Sequence, residues 1–263
     1  MPIPNEIQYP IGLMSVPHII FLAVLIPSAI ILAFVLSRKI GFSKNVVWVC
    51  FIIGILCEIE KILFFMQELP GGGYRLPAEH IPFNLCPFQI FLMFILVISA
   101  DIKKRSFLIT FMYPTMVAGS AFAMFVPAVI IQGYHGLLEL ATYRYFIYHA
   151  LLVFMGFYLY MSKPIQYSIK SLGTAIIGIF SAAIVMIWVN AFFGWDSTVN
   201  FFFLVRPPAE NLPFLNLDRG WGFYFFQIMC LGGLFFTMCY IREIVRDLPG
   251  LVKTLTGKFK KQA

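Results

Sequence analysis

Charge is scarce in this chain: Asp, Glu, Lys and Arg make up 12% of its 263 residues, about half the share usual in a soluble domain. That shortage excludes a water-soluble globule, and with it a secreted, cytosolic or nucleic-acid-binding protein. Cysteine is also sparse, with five residues, none in a CxxC or CxxCH arrangement and none paired with His at ligand spacing. Structural zinc, c-type haem and a disulfide framework are therefore excluded, and nothing in the sequence asks for a metal or another cofactor. Polar linkers, internal repeats and low-complexity tracts are missing too, so no second domain is marked. What fills the chain is apolar: 60% hydrophobic and 17% aromatic residues, 30 Phe, 12 Met and a mean hydropathy of +0.87. One soluble core of this length cannot bury that much apolar surface, so it must face lipid.

About 20 apolar residues, at about 1.5 Å rise each, cross a hydrocarbon core of about 30 Å. Seven stretches qualify, near 17–37, 45–66, 82–100, 106–131, 142–161, 171–193 and 221–241. No Lys or Arg precedes the first, and Arg38 and Lys39 follow it, so it reads as a retained span rather than a cleaved leader. Basic residues then set the orientation. Arg38, Lys39, Lys44, Lys103, Lys104, Arg105, Lys163, Lys170, Arg242, Arg246, Lys253, Lys258, Lys260 and Lys261 fall on one side. Arg75, Arg144, Arg206 and Arg219 fall on the other, and Lys61 lies inside the second stretch. The positive-inside bias predicts an all-α polytopic protein with seven transmembrane helices, its N-terminus outside and its C-terminus cytoplasmic. The formal charge of +7 is then a topology signal, not the footprint of a polyanionic partner. Residues 1–241 form one transmembrane domain, and 242–263 form a basic cytoplasmic tail. Leu251, Val252 and Leu255 of that tail make one apolar face suited to anionic lipid, although a plain solvated tail meets the charge pattern equally well.

The outer connections carry the irregular chemistry. Gly71-Gly72-Gly73 breaks any helix in the 2–3 loop, and Pro207-Pro208 with Pro213 does so in the 6–7 loop. The run from Trp195 to Val205, with Phe201-Phe202-Phe203-Leu204 at its centre, is too short to span and too apolar for water. It is expected to dip into the interface or cover a cavity between helices.

Polar residues inside the spans are few, and each is expensive at membrane depth. If the third span opens at Pro82, a favoured first helical position, Cys86 lies about 6 Å below its start. His149 lies about 7.5 Å past Arg144, and Glu60 about 9 Å below the exit of the second span. Asn190 is in the outer half of the sixth. A thiol, an imidazole, a carboxylate and an amide thus share one layer. Cys86 and His149 suggest a nucleophile and its general base, with Glu60 or Asn190 orienting the imidazole or meeting an oxyanion. Asn84, Gln89, Tyr145, Asn200 and Arg206 are the candidate substrate contacts, and Arg206 and Arg75 suit a phosphate head group, or simple interfacial anchoring. Cys50, Cys57, Cys230 and Cys239 sit among apolar neighbours and read as packing. Glu58 and Lys61 read as an i, i+3 ion pair, and His18, His80 and His135 as interfacial residues.

The string Ile81-Pro82-Phe83-Asn84-Leu85-Cys86 resembles the LPxxxC entrance to the third helix of the YwaF-like integral membrane proteins of bacteria, and His149 in Tyr145-Phe146-Ile147-Tyr148-His149 matches their second hallmark. The resemblance implies kinship with an animal acyltransferase that moves polyunsaturated acyl chains from phospholipids onto lyso ether phosphatidylethanolamine. Carried over by position, it makes Cys86 the acyl carrier and His149 the base, with phospholipid or lysophospholipid as partner and the bacterial plasma membrane as location. Asn84 stands where the family often has His, and Pro87 after the nucleophile is expected to bias Cys86 away from helical geometry. Two functions follow: a membrane acyltransferase or lipid-ester hydrolase acting through a Cys thioester, or a non-enzymatic transporter or ligand-binding protein using the same polar layer.

Overall fold

The computed structural model describes residues 12–127, 136, 139–195, 197–208, 212 and 214–250. Among them are seven helices of 14 to 25 residues: α1 (Val16–Ile40), α2 (Lys44–Phe65), α3 (Leu85–Ile98), α4 (Ser106–Phe125), α5 (Leu140–Ser162), α6 (Ile169–Phe193) and α7 (Trp221–Cys239). Beyond a break at Tyr240 the chain is helical again over 241–250. The tail positions Leu251, Val252 and Leu255 lie outside the described residues, as do His135 and 128–131, the expected end of the fourth span.

Local chemistry sets the helix ends. The Ser43 hydroxyl accepts from Asn45 N at the start of α2, and Ser168 and Ser171 form a reciprocal capping box at the start of α6. In the loop after α2, Gln67–Glu68 pairs antiparallel with Tyr74–Arg75. The turn needs Gly71, Gly72 and Gly73, whose φ values of 97°, 92° and 91° belong to a region that side chains rarely enter.

Five helical segments are long and apolar enough to cross a membrane: Val16–Ile40, Lys103–Phe125, Leu140–Ser162, Ile169–Phe193 and Trp221–Cys239. The protein is a multi-pass helical membrane protein. The other two helices depart from the simple rule for physical reasons. α2 has the length but carries Glu58, Glu60 and Lys61 near one end. α3 has 14 residues, about 21 Å of helix. It starts at Leu85, not Pro82, so Cys86 sits in its first turn rather than a full turn below the start. Pro87 falls in that same turn, where its missing N–H has no intrahelical acceptor to leave empty. Cys86 is accordingly helical, against the expectation drawn from the residue before a proline.

α5 is the central helix, packed by α1, α2 and α4, and it buries Phe146, Leu152, Met155, Tyr158 and Leu159 completely. Gly156 permits the close approach of α4: a Cβ there would lie 2.7 Å from Val117 Cγ2 and 3.1 Å from the Tyr113 carbonyl oxygen. Small residues at such crossings are how helices associate in lipid, where apolar burial alone supplies no drive. The outer faces of α1 and α6 present Val16, Ile31, Trp188 and Phe192 outward.

Candidate functional site

A cavity of about 340 Å³ opens among α2 to α7, within the size range of small-ligand sites. Its walls are mostly apolar: Phe122, Ile179, Ala183, Phe202, Ile228 and Phe235 among others. Cys86 and His149 both line it, with Asn84 and Tyr145 beside them. Glu58, Lys61, Glu79, His80 and Arg144 line it too. The expected thiol and imidazole thus share one chamber.

Each is held by local structure. Gly119 lets the first turn of α3 close on α4, since a Cβ there would meet Leu85 Cδ2 at 3.2 Å. That approach sets Cys86 Sγ 3.8 Å from the buried Ser120 Oγ, in weak hydrogen-bond contact, while the Tyr148 hydroxyl donates to the Cys86 carbonyl at 2.8 Å. His149 Nδ1 lies 2.7 Å from the Tyr145 carbonyl oxygen one turn earlier. A carbonyl can only accept, so Nδ1 carries the proton and the neutral ring keeps its Nε2 lone pair. That is the tautomer a general base requires.

The charged residues of α2 resolve into pairs. Lys61 Nζ bridges Glu58 Oε1 as expected for i, i+3, and Glu60 Oε2 bridges Arg144 Nε on α5. Arg144, counted from the sequence among the outer basic residues, is a half-buried partner in this pair, and Glu60 is outside the cavity wall. Glu60 therefore neutralises Arg144 rather than orienting His149. Two matched pairs let α2 carry three charges at modest cost.

The remaining predicted contacts build the cavity's cover. Phe202 and Phe203 have φ of 58° and 54°, a left-handed geometry costly for bulky side chains. Polar groups from three elements hold it. Asn190 on α6 accepts from Phe201 N at 2.8 Å and donates to Phe201 O at 3.0 Å, and Asn84 Oδ1 accepts from Phe202 N at 3.1 Å. From α7, Tyr224 donates to the Phe203 carbonyl and Trp221 Nε1 to that of Leu204 at 2.8 Å. Asn200 braces the next turn through Val205 N at 3.0 Å and Arg206 O at 2.8 Å, and Arg206 Nη2 donates to the Ser197 carbonyl at 2.9 Å. Asn190 thus pins the cover, and it is off the cavity wall. Asn200 and Arg206 are likewise off the cavity wall. Gln89, fully buried, donates to Thr115 Oγ1 at 3.1 Å and staples α3 to α4. Thr198 donates to Glu79 at 2.9 Å, and His80 stacks on Phe65 with ring centroids 3.6 Å apart. Burial pushes the His80 pKa below its ordinary value.

Ser120 escaped the sequence reading because a hydroxyl costs little in a span and bonds its own helix readily. Its place beside Gly119 was the available signal. Met93, Leu96, Met112, Met116 and Met155 are fully buried in the core that α3, α4 and α5 share. Among the described residues no three His, Cys, Asp or Glu side chains gather as a metal would require.

Fold and site together define a multi-pass helical membrane protein with a buried, aromatic-capped chamber holding a thiol and a neutral imidazole. The chain belongs to the TMEM164 family, whose family model matches residues 13–240. No curated protein and no solved structure matches it.

Proposed function

We propose that this protein is a membrane-embedded lipid acyltransferase, or lipid-ester hydrolase, that works by two displacements at Cys86. His149 Nε2 takes the Cys86 thiol proton, and the sulfur attacks the ester carbonyl carbon of a membrane phospholipid. The tetrahedral intermediate collapses with loss of the lysolipid oxygen, which recovers the proton from His149. The acyl group is left as a thioester. His149 then deprotonates the hydroxyl of a lysophospholipid, or a water, whose oxygen attacks the thioester and returns the thiol. Ser120 donates to the sulfur as negative charge develops, and the 201–204 cover excludes bulk water.

The observation that carries this reading is the shared chamber of Cys86 and His149, with the imidazole held in its basic tautomer by the Tyr145 carbonyl. An apolar chamber inside a helical bundle suits acyl chains and would be a poor place for a soluble substrate. The resemblance to YwaF-like proteins supports the same two roles. In this reading all seven helices cross a plasma membrane with the N-terminus outside. The charges of α2 are neutralised in pairs, and the short α3 is extended outward by the largely half-buried 78–84 segment.

The test is intact mass spectrometry of the full chain purified from membranes, before and after neutral hydroxylamine. The expected result is a fatty-acyl increment on wild type that hydroxylamine removes and that Cys86→Ala and His149→Ala lack. A wild-type chain that stays unmodified after incubation with diacyl phospholipids overturns the proposal.

A further inference from the structure

We infer that the chain carries a second ligand site at the opposite, basic end of the bundle: a cleft for a phosphate ester that bears a hydroxyl or ammonium donor, bound by Lys163, Arg242 and Glu243. The cleft has a volume of about 570 Å³ and lies between the α5–α6 connection and the helix that follows α7. No part of it belongs to the chamber of Cys86.

The built element is Glu243. Its side chain is on the cleft wall, yet the residue is only 3% exposed. Oε1 accepts from the Tyr160 hydroxyl at 2.8 Å, while Oε2 is buried without any hydrogen-bond partner. A buried carboxylate oxygen left empty is destabilising, so its retention points to a donor that arrives from outside the chain. Lys163 and Arg242 line the same cleft, and among the described residues no carboxylate forms an ion pair with either. The neighbouring pair is already committed. Arg246 binds Asp247 and the Tyr167 carbonyl, and Asp247 accepts from Ile169 N at 2.9 Å, which ties the two walls together. The unmet demand is therefore two cations and one acceptor. An anion alone satisfies the cations and is repelled by Glu243; an amine alone does the reverse. A phosphate with a hydroxyl or ammonium group a few bonds away meets both, and phosphate is the anion that Arg and Lys bind best together. The cleft lies where the apolar helices end, at the level of lipid head groups. The same chemistry is offered by a phospholipid and by a soluble phosphate ester.

The test uses the full chain in phosphatidylcholine nanodiscs. One arm titrates sn-glycerol 3-phosphate and O-phosphoethanolamine by calorimetry. The other adds phosphatidylglycerol or phosphatidylethanolamine and counts retained lipids by native mass spectrometry. Binding in the first arm assigns a soluble ester, and retention in the second alone assigns a head group. In either arm Glu243→Gln is expected to weaken binding about tenfold, the worth of one charge-assisted hydrogen bond. The pair Lys163→Gln/Arg242→Gln, exposed and outside the fold's core, is expected to abolish it and serves alone if Glu243→Gln does not fold. Cys86→Ala is expected to bind like wild type, so failure of the acyl-enzyme reading and failure of this one are separable. Absence of binding in both arms, or binding that the Lys163/Arg242 pair does not change, overturns the inference.

Discussion

At the scale of single residues, the proposed chemistry depends on how little freedom His149 and Cys86 have. The imidazole's tautomer is chosen by one backbone carbonyl, and among the described residues the thiol's side-chain hydrogen-bond contact is Ser120. Ser120 offers its hydroxyl more strongly to a thiolate than to a thiol, since a charged acceptor strengthens the bond. Replacing Ser120 with Ala is expected to slow acylation about fivefold, for a loss of about 1 kcal/mol in the transition state. Stability should be little changed. Time-resolved intact mass spectrometry of acyl-enzyme formation measures this, and an unchanged rate removes Ser120 from the mechanism. Cys86 and His149 were legible in the sequence because a thiol and an imidazole at one depth are rare in spans. Ser120 was not, since a serine in a membrane helix announces nothing until its partner is known.

Elements carry the second tier of the design, and here a polar residue in the outer half of a span proved a weak guide to its role. Asn84, Asn190 and Asn200 were candidates for substrate or transition-state contact; in the fold they hold the backbone of 201–206. The sequence told that this aromatic segment must be covered or be a cover, because it is too apolar for water. It did not tell that two consecutive phenylalanines would sit at positive φ and need amide side chains to keep them there. Asn190→Leu leaves the N–H of Phe201 buried without its partner, at about 1–3 kcal/mol, while the Phe201 carbonyl keeps Leu204 N. A loss of about 1–3 kcal/mol in unfolding free energy is expected, together with faster proteolysis within 197–208. Resistance equal to wild type would mean the cover does not depend on that amide.

The same end of the molecule has a pH-sensitive joint. His80, stacked on Phe65, has its pKa lowered by burial, so the folded chain disfavours the charged ring. Above the ordinary value of about 6.5 both folded and unfolded chains hold His80 neutral. As pH falls through that value the unfolded chain takes up the proton first, and the fold loses stability. His80→Phe keeps the stack and removes the proton. Thermal unfolding of the two proteins between pH 7.5 and 5, both pH values being about one unit or more from the midpoint, should show wild type falling more steeply than the variant. Parallel curves would place the acid sensitivity elsewhere.

For the whole molecule, α2 and α3 decide whether seven helices cross the membrane or the five that are long and apolar enough by themselves. An odd count puts the fourteen basic residues on one side, and seven crossings and five both do so. α2 and α3 differ from the other five: one carries charges paired within it and with Arg144 of α5, and the other has 14 residues preceded by half-buried irregular backbone. The Glu58–Lys61 pair was readable along the chain, whereas the Glu60–Arg144 pair was not, since its partners lie far apart in it. The two arrangements place Tyr74, exposed on the hairpin, and Lys104, exposed before α4, differently. With seven crossings a helix of about 21 Å separates them, so they lie on opposite sides. With five, the segment from Lys39 to Lys104 stays on one side. Cysteines introduced as Tyr74→Cys or Lys104→Cys, each in a background lacking the five native ones, are expected to differ toward a membrane-impermeant maleimide in intact cells. Tyr74→Cys should label at once, and Lys104→Cys only after permeabilisation. Equal labelling would reduce the count to five, and the reverse pattern would invert the orientation and move the chamber of Cys86 to the cytoplasmic leaflet, where its lipid substrates would have to be sought.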